Sequence, residues 1–215
     1  MKLRQTSIFS DINYFAKQSC ELETRVNFTG FWNIFQNGAT LLLIFIQNYE
    51  RLEEEFEIHD NVIIQPGIYR YNNFYSEFES DKSKPISGKI SLNAGNFYDG
   101  DILGYGLETN LKLGSRLTMN LLYNHNNVKI KAGHFRTHIV GSRILYTFSP
   151  KLFAKAFIQW YSDDDNIVGN FLVHFIHTPG SDLFFVFNEE LDTTKNKLST
   201  TNRVILMKLN YLFNF

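Results

Sequence analysis

The chain has 215 residues, of which 44% are hydrophobic and 20% charged, long enough for one large all-β domain with no second domain evident. A formal net charge of -1 leaves no basic excess to meet phosphates, which excludes a nucleic-acid surface. Aromatic residues reach 16%, with 21 Phe and 11 Tyr, a bias suited to strands and to the aromatic girdles of a membrane barrel.

Turn signals recur between segments of roughly 10 to 13 residues, the length a tilted membrane strand requires, and helix signals are nearly absent. In chain order, strands are expected over 7–17, 24–35, 39–50, 68–79, 85–97 and 102–113. More follow over 116–126, 134–148, 151–162, 167–177, 182–190 and 203–215. The longest apolar run, Leu41 to Ile46, falls far short of the roughly 20 residues of a transmembrane helix. It is apolar on both faces and is expected to lie against other protein or a plug.

Alternation assigns faces to several strands. Ile86, Gly88, Ile90, Leu92 and Ala94 oppose Ser87, Lys89, Ser91 and Asn93, and Leu103, Tyr105 and Leu107 oppose Gly104, Gly106 and Glu108. Leu117, Met119, Leu121 and Tyr123 oppose Arg116 and Asn120, while Leu152, Ala154, Ala156, Ile158 and Trp160 oppose Lys151, Lys155 and Gln159. A wall this polar would not be accepted by a dry sandwich core, so the apolar face is assigned to lipid. About twelve long strands are also too many for a small filled barrel. The expected fold is an antiparallel transmembrane up-and-down β-barrel, one domain over 1–215, whose twelve or so strands form the C-terminal part of a larger barrel; alone they are expected to make an incomplete barrel with an exposed N-terminal edge.

The connectors alternate between two kinds, as hairpin ends on opposite sides of a membrane should. One set is tight: 36–38, 80–84, 114–115, 149–150 and 178–181. The other is longer and more charged: 51–67, 127–133, 163–166 and 191–202, with 98–101 as its short exception. Counting back from the C-terminus puts the tight set in the periplasm. Pro179, Gly180, Ser181 and Asp182 are read as a periplasmic turn in which proline presets φ, glycine takes the positive-φ position, and serine or aspartate can bond freed amides.

At the end of the chain, Met207, Leu209, Tyr211, Phe213 and Phe215 fall on one face of the last strand, with Lys208, Asn210 and Asn214 opposite. An unblunted aromatic edge is an aggregation template unless something pairs with it, and barrel closure supplies that pairing. The terminal phenylalanine resembles the signal that bacterial outer-membrane barrels present to their insertion machinery, so these five residues are read as an insertion signal. The start of the chain, Met1 to Thr6, leads into Ser10, Asp11 and Asn13 instead of an apolar h-region. For an exported barrel this predicts an N-terminally truncated chain, whose leader lay upstream.

No nucleophile motif or phosphate-cradling loop occurs, and Cys20 is a lone cysteine, so neither catalytic residues nor a cofactor are expected. His174 and His177 point to opposite sides of a strand, and His134 and His138 lie about 13 Å apart along one, which argues against a metal site. Asp163-Asp164-Asp165-Asn166 reads as a solvated turn, with calcium as the sharper alternative. For Glu53, Glu54, Glu55, Glu57 and Asp60 the alternatives are a solubilised loop and a cation or substrate funnel. Carboxylate pairs drawn from Glu108, Glu189 and Glu190 are indistinguishable from ordinary lumen charges without a measured separation.

Three runs carry a resemblance: Leu145 to Phe153, Phe157 to Asp165, and His177 to Glu189. The stretch from about Arg143 onward is similar to the C-terminal barrel of bacterial outer-membrane proteins that carry an N-terminal carbohydrate-binding module of family 9 type. That barrel is classed as domain-of-unknown-function family 5916. The sequence departs from the pattern at His177 and Thr178, where an aromatic and a basic residue are usual, and at Phe187, which replaces a tyrosine. The resemblance implies an outer-membrane location in a Gram-negative bacterium, with lipid and the barrel-insertion machinery as partners. It also implies a carbohydrate ligand through an upstream module that this sequence does not contain, and no activity. The function expected is binding or uptake of a carbohydrate or other nutrient. The alternatives are an anchor displaying an exported module and a soluble lipid-binding β-barrel.

Overall fold

A computed structural model describes residues 2–194 and 198–213. The described chain is all strand and turn, with no helix. It comprises β1 (Leu3–Ala16), β2 (Leu22–Phe35), β3 (Thr40–Leu52), β4 (Phe56–His59), β5 (Val62–Ile64), β6 (Gly67–Glu79) and β7 (Ile86–Phe97). The remaining strands are β8 (Gly100–Leu113), β9 (Leu117–Ile130), β10 (Gly133–Ser149), β11 (Leu152–Tyr161), β12 (Asn166–Thr178), β13 (Ser181–Asp192) and β14 (Ser199–Asn210).

Twelve strands form one antiparallel sheet in the order β1-β2-β3-β6-β7-β8-β9-β10-β11-β12-β13-β14, and β4 and β5 form a separate two-stranded sheet. The sheet is not closed into a barrel. Closing a sheet requires its first and last strands to pair in register, whereas β1 pairs with β2 and β14 with β13, leaving both as edges. The final strand also stops earlier than its alternation implied. β13 begins at Ser181, and Asp182 already faces Asn210, so residues 211–213 have no neighbouring strand to continue the ladder.

The chain divides into two compact units. The first comprises Met1–Ser83, Ser87–Leu107 and Asn124–Thr137. In it, the β6–β7 register puts Tyr75 opposite Asn93, Glu77 opposite Ser91 and Glu79 opposite Lys89 on one face, with Phe74, Phe78, Ile90 and Leu92 on the other. Hydrogen bonds run across the polar face: Asn48 Nδ2 donates to Asn73 Oδ1 at 3.0 Å, and Asn73 Nδ2 to Asn93 Oδ1 at 2.7 Å. In β8, Leu103 and Leu107 are 48% and 47% exposed, while Gly104 and Gly106 between them are buried. A Cβ at either glycine would meet an asparagine Oδ1, of Asn126 at 2.3 Å or Asn124 at 2.6 Å, so only glycine lets those amides lie against the strand. The apolar side chains thus stand on the uncovered face. The exception is β3, where Leu42, Ile44 and Ile46 share the face of Tyr75 and Glu77 while Leu41, Leu43 and Phe45 take the opposite one.

The buried core of this unit is Val62, Ile64, Tyr98, Val128 and Ile130, with Ile58, Tyr69, Tyr71, Phe97 and Phe135 packed around it. Its seed is the β4–β5 hairpin, a structured element inside the stretch expected as a charged loop. Asn61 supplies the positive φ, 61°, that a tight turn needs, and its amide donates to Glu57 Oε1 at 3.0 Å. Val62 and Ile64 then point inward, and the His59 ring stacks on Phe135 at 4.5 Å. Tyr98, at φ 49°, sits in the turn between β7 and β8 with Tyr69, Tyr71 and Phe97 rings 5.0 to 5.2 Å away. Burial pushes its phenol well above the ordinary range, helped by its hydrogen bond with Glu50.

The second unit comprises Lys84–Ile86, Glu108–Tyr123 and His138–Phe215. Its registers line up side chains in rows across strands. One face carries Ile144, Ala156, Phe171, Phe187 and Ile205, and the next row on that side is Tyr146, Ala154, Val173, Phe185 and Met207. Ile158, Phe171, Val173, Phe185, Ile205 and Met207 on this face are all exposed. The opposite face is mixed and polar, and it carries the site described next.

Candidate functional site

The turn expected at Pro179–Asp182 is the two-residue connection between β12 and β13. Gly180 has φ 85°, as the second corner of a type II turn demands after proline. The Ser181 and Asp182 side chains do not bond turn amides. Ser181, 2% exposed, accepts the Leu212 amide on Oγ at 3.0 Å, and Asp182 Oδ1 lies 3.0 Å from His174 Nε2. The chain after β14 therefore folds back on the turn, bringing Leu212 to within 2.8 Å of where a Cβ on Gly180 would stand.

Of the residues read as an insertion signal, Met207 and Leu209 lie on the apolar face of β14, opposite Phe185 and Leu183. Tyr211 and Phe213 lie beyond the strand with their rings 4.6 Å apart, and Phe215 falls outside the described residues.

The acidic stretches are engaged at particular residues. Glu53 is ion-paired with Lys17, and Arg51 Nη1 donates to Glu21 at 3.3 Å, tying the β1–β2 connection to the end of β3. The hydrogen bond and charge of Lys17 hold the Glu53 carboxyl below its ordinary value, and Glu53 in turn raises the Lys17 ammonium. At 163–166, the Asp165 carbonyl accepts both the amide and the hydroxyl of Thr193 at 2.7 Å. Glu189 and Glu190 point to opposite faces. Glu189 accepts Arg203 Nε at 3.1 Å, and Glu190 accepts Asn166 Nδ2 at 3.1 Å. His134 Nε2 lies 2.6 Å from Asn127 Oδ1, and His138 Nδ1 lies 3.0 Å from the Tyr123 hydroxyl.

A basin of about 400 Å³ whose exposed surface is almost wholly apolar opens on the mixed face of the second unit. One cross-strand row supplies Arg143, Phe157, Asn170 and Asn188, and the adjacent row supplies Leu145, Lys155, Leu172 and Val186. Asn120 of β9 lines it as well, fixed by donating to Glu108 Oε1 at 2.7 Å and Asn110 Oδ1 at 2.9 Å. The Arg143 guanidinium lies 5.0 Å from the Phe157 ring centre, and Lys155 Nζ lies 5.4 Å from that of Phe153. Alternation marks Lys155 and Asn120 as polar-face residues. Grouping them with Arg143, Asn170 and Asn188 requires the register between strands, which periodicity within one strand does not carry. Compared with protein-family models, curated proteins and solved structures, the chain matches none.

Proposed function

We propose that the chain forms the wall of a bacterial outer-membrane β-barrel that binds or admits a nutrient such as a carbohydrate. The carrying observation is the side on which the large apolar residues stand: Leu103, Tyr105 and Leu107 lie on the uncovered face of β8, with buried Gly104 and Gly106 between them. A soluble barrel would turn such residues inward to fill its centre. Against lipid the same arrangement is favourable, since each buried methylene contributes about 0.8 kcal/mol, while the asparagine-rich face lines a wetted interior. The β4–β5 hairpin packs beside Tyr69 and Tyr71 on that polar side, at the ends of strands assigned to the cell exterior, so it narrows the mouth.

In this reading the apolar face meets outer-membrane lipid, the C-terminal segment engages the insertion machinery, and sugar capture by an upstream module feeds the barrel. The test begins with expressing the full-length protein and separating membrane from aqueous fractions. Recovery of the protein in the membrane fraction, released only by detergent, is expected, and recovery in the aqueous fraction without detergent would refute the proposal in favour of a soluble β protein. Planar-bilayer recording of the full-length protein then separates pore from anchor: discrete channels are expected of a nutrient route, and silence assigns an anchor.

A further inference from the structure

We infer that Arg25 and Arg70, standing in one cross-strand row with Tyr14 and Tyr49, bind the phosphate ester of a membrane lipid headgroup. The inference rests on the barrel-wall reading for the presence of lipid at this face. It goes further by naming the headgroup chemistry and the residues that hold it.

Register sets the row. Tyr14 on β1 faces Arg25 on β2, Arg25 faces Tyr49 on β3, and Tyr49 faces Arg70 on β6. Side chains two apart on a strand share a side, so Tyr49 belongs to the face of Leu41, Leu43 and Phe45, the apolar face of the first unit. The rows on that face grade along the strands. Ile8, Phe31 and Leu43 form one, with Ile8 72% exposed; Phe45 and Phe74 share the next with Ser10 and Thr29; Asn27, Gln47 and Asn72 form the one after. The arginine row follows, close to the β1–β2 and β3–β4 connections. Tyr49 comes eight positions after Leu41, about 27 Å along the strand. A tilt of ~40° reduces this to roughly 20 Å of height, within an apolar band about 25 Å tall, so the arginines stand near its border.

Both arginines are exposed, and among the described residues neither forms an ion pair. Arg51, the third arginine near this end, is already held by Glu21, and Glu23, two positions from Arg25 on β2, pairs with neither Arg25 nor Arg70. The Arg70 guanidinium lies 5.5 Å from the centre of the Tyr49 ring, which is 7% exposed, so a buried aromatic steadies the cation. Two strand spacings put the Arg25 and Arg70 backbones about 10 Å apart, and each guanidinium can offer phosphate oxygens two parallel hydrogen bonds. Tyr14, 58% exposed, adds an amphipathic ring of the kind that sits at headgroup level. A free anion would use the arginines and none of the apolar face below them. A neutral lipid would cover that face and leave two cations unpaired at its border, whereas a phosphate-bearing lipid meets both.

The test is native mass spectrometry of the full-length protein in neutral detergent, titrated separately with dioctanoyl phosphatidate and with dioctanoylglycerol. Phosphatidate is expected to bind at least about tenfold more tightly, with the preference weakening as salt rises. R25Q combined with R70Q should abolish the preference, and R25K combined with R70K, which keeps the charges without the forks, should retain part of it. R203Q removes an exposed arginine that is already ion-paired with Glu189 and should leave the preference unchanged. Each variant is first shown to reach the membrane fraction as the parent does. Equal binding of the two lipids, an unchanged preference in R25Q/R70Q, an equal loss in R203Q, or displacement of phosphatidate by the same concentration of inorganic phosphate would overturn the inference. Protein recovered in the aqueous fraction fails the barrel reading and this inference with it, whereas membrane-bound protein without the preference fails this inference alone.

Discussion

Ile64 is 3% exposed and packs with Val62, Tyr98, Val128 and Ile130, whereas Ile63, its neighbour on the other side of β5, is 38% exposed. Replacing Ile64 by alanine removes a buried side chain from a small core, which costs about 2–5 kcal/mol. The hairpin is a short two-stranded element, so the loss falls on its own docking before it falls on the twelve-stranded sheet. When opening and closing outpace cleavage, proteolysis tracks the open population, and 2 kcal/mol raises it about 30-fold. The assay is digestion of the detergent-solubilised chain with a glutamate-specific protease, with mass spectrometry of fragments cut after Glu53, Glu54 and Glu55. I64A should be cleaved there at least about 30-fold faster than the parent, and I63A within about threefold, since exposed substitutions usually stay within 0.5 kcal/mol. Equal cleavage of I64A and the parent would refute the claim that the hairpin is held by its buried side chains.

Three further outcomes are expected. Leu107→Arg places a charge on the apolar face of β8 and should lower stability in liposomes by about 2–4 kcal/mol, while Asn110→Arg on the other face should cost far less; matching urea midpoints for the two would contradict the lipid assignment. Glu53 titrates below 4.5 because of Lys17, so its contribution to the loop contact is complete at neutral pH and is lost as pH falls through that lowered value. Carbon NMR of Glu53 should show K17M returning the midpoint toward 4.5, and an unmoved midpoint would exclude the pair as the cause. Gly180→Ala should cost about 1–2 kcal/mol for the left-handed backbone, with added crowding against Leu212. Gly180→Asn should cost less, because asparagine tolerates that conformation, and identical denaturation midpoints would rule out backbone strain.

Alternation made the long strands and their faces legible, because a period of two is a local property that burial on one side imposes residue by residue. Tight turns were legible for a similar reason: Pro179-Gly180 carries its φ requirements in its own residue types. The β4–β5 hairpin was hidden because Phe56, Ile58, Val62 and Ile64 alternate only briefly amid Glu53 to Asp60, and what holds them is contributed by Tyr98, Val128 and Ile130, far along the chain. The end of β14 was misplaced for the opposite reason. Tyr211 and Phe213 keep the strand pattern, but a strand continues only where a partner offers hydrogen bonds, and β13 starts at Ser181. Closure likewise depends on what β1 and β14 meet, and the basin on Arg143, Phe157, Asn170 and Asn188 falling in one row across four strands, neither of which any single segment encodes.

Each long strand except the two edges bonds to the long strands just before and just after it in the chain. Adding or deleting one hairpin at a time therefore leaves every remaining ladder intact and every connector on its own side. A sheet wired this way can widen or narrow through gene duplication in steps of two strands without redesign of what is already there. Its evolutionary freedom lies in strand number, and its constraint lies at Val62 and Ile64, whose contacts reach across the wiring to β9.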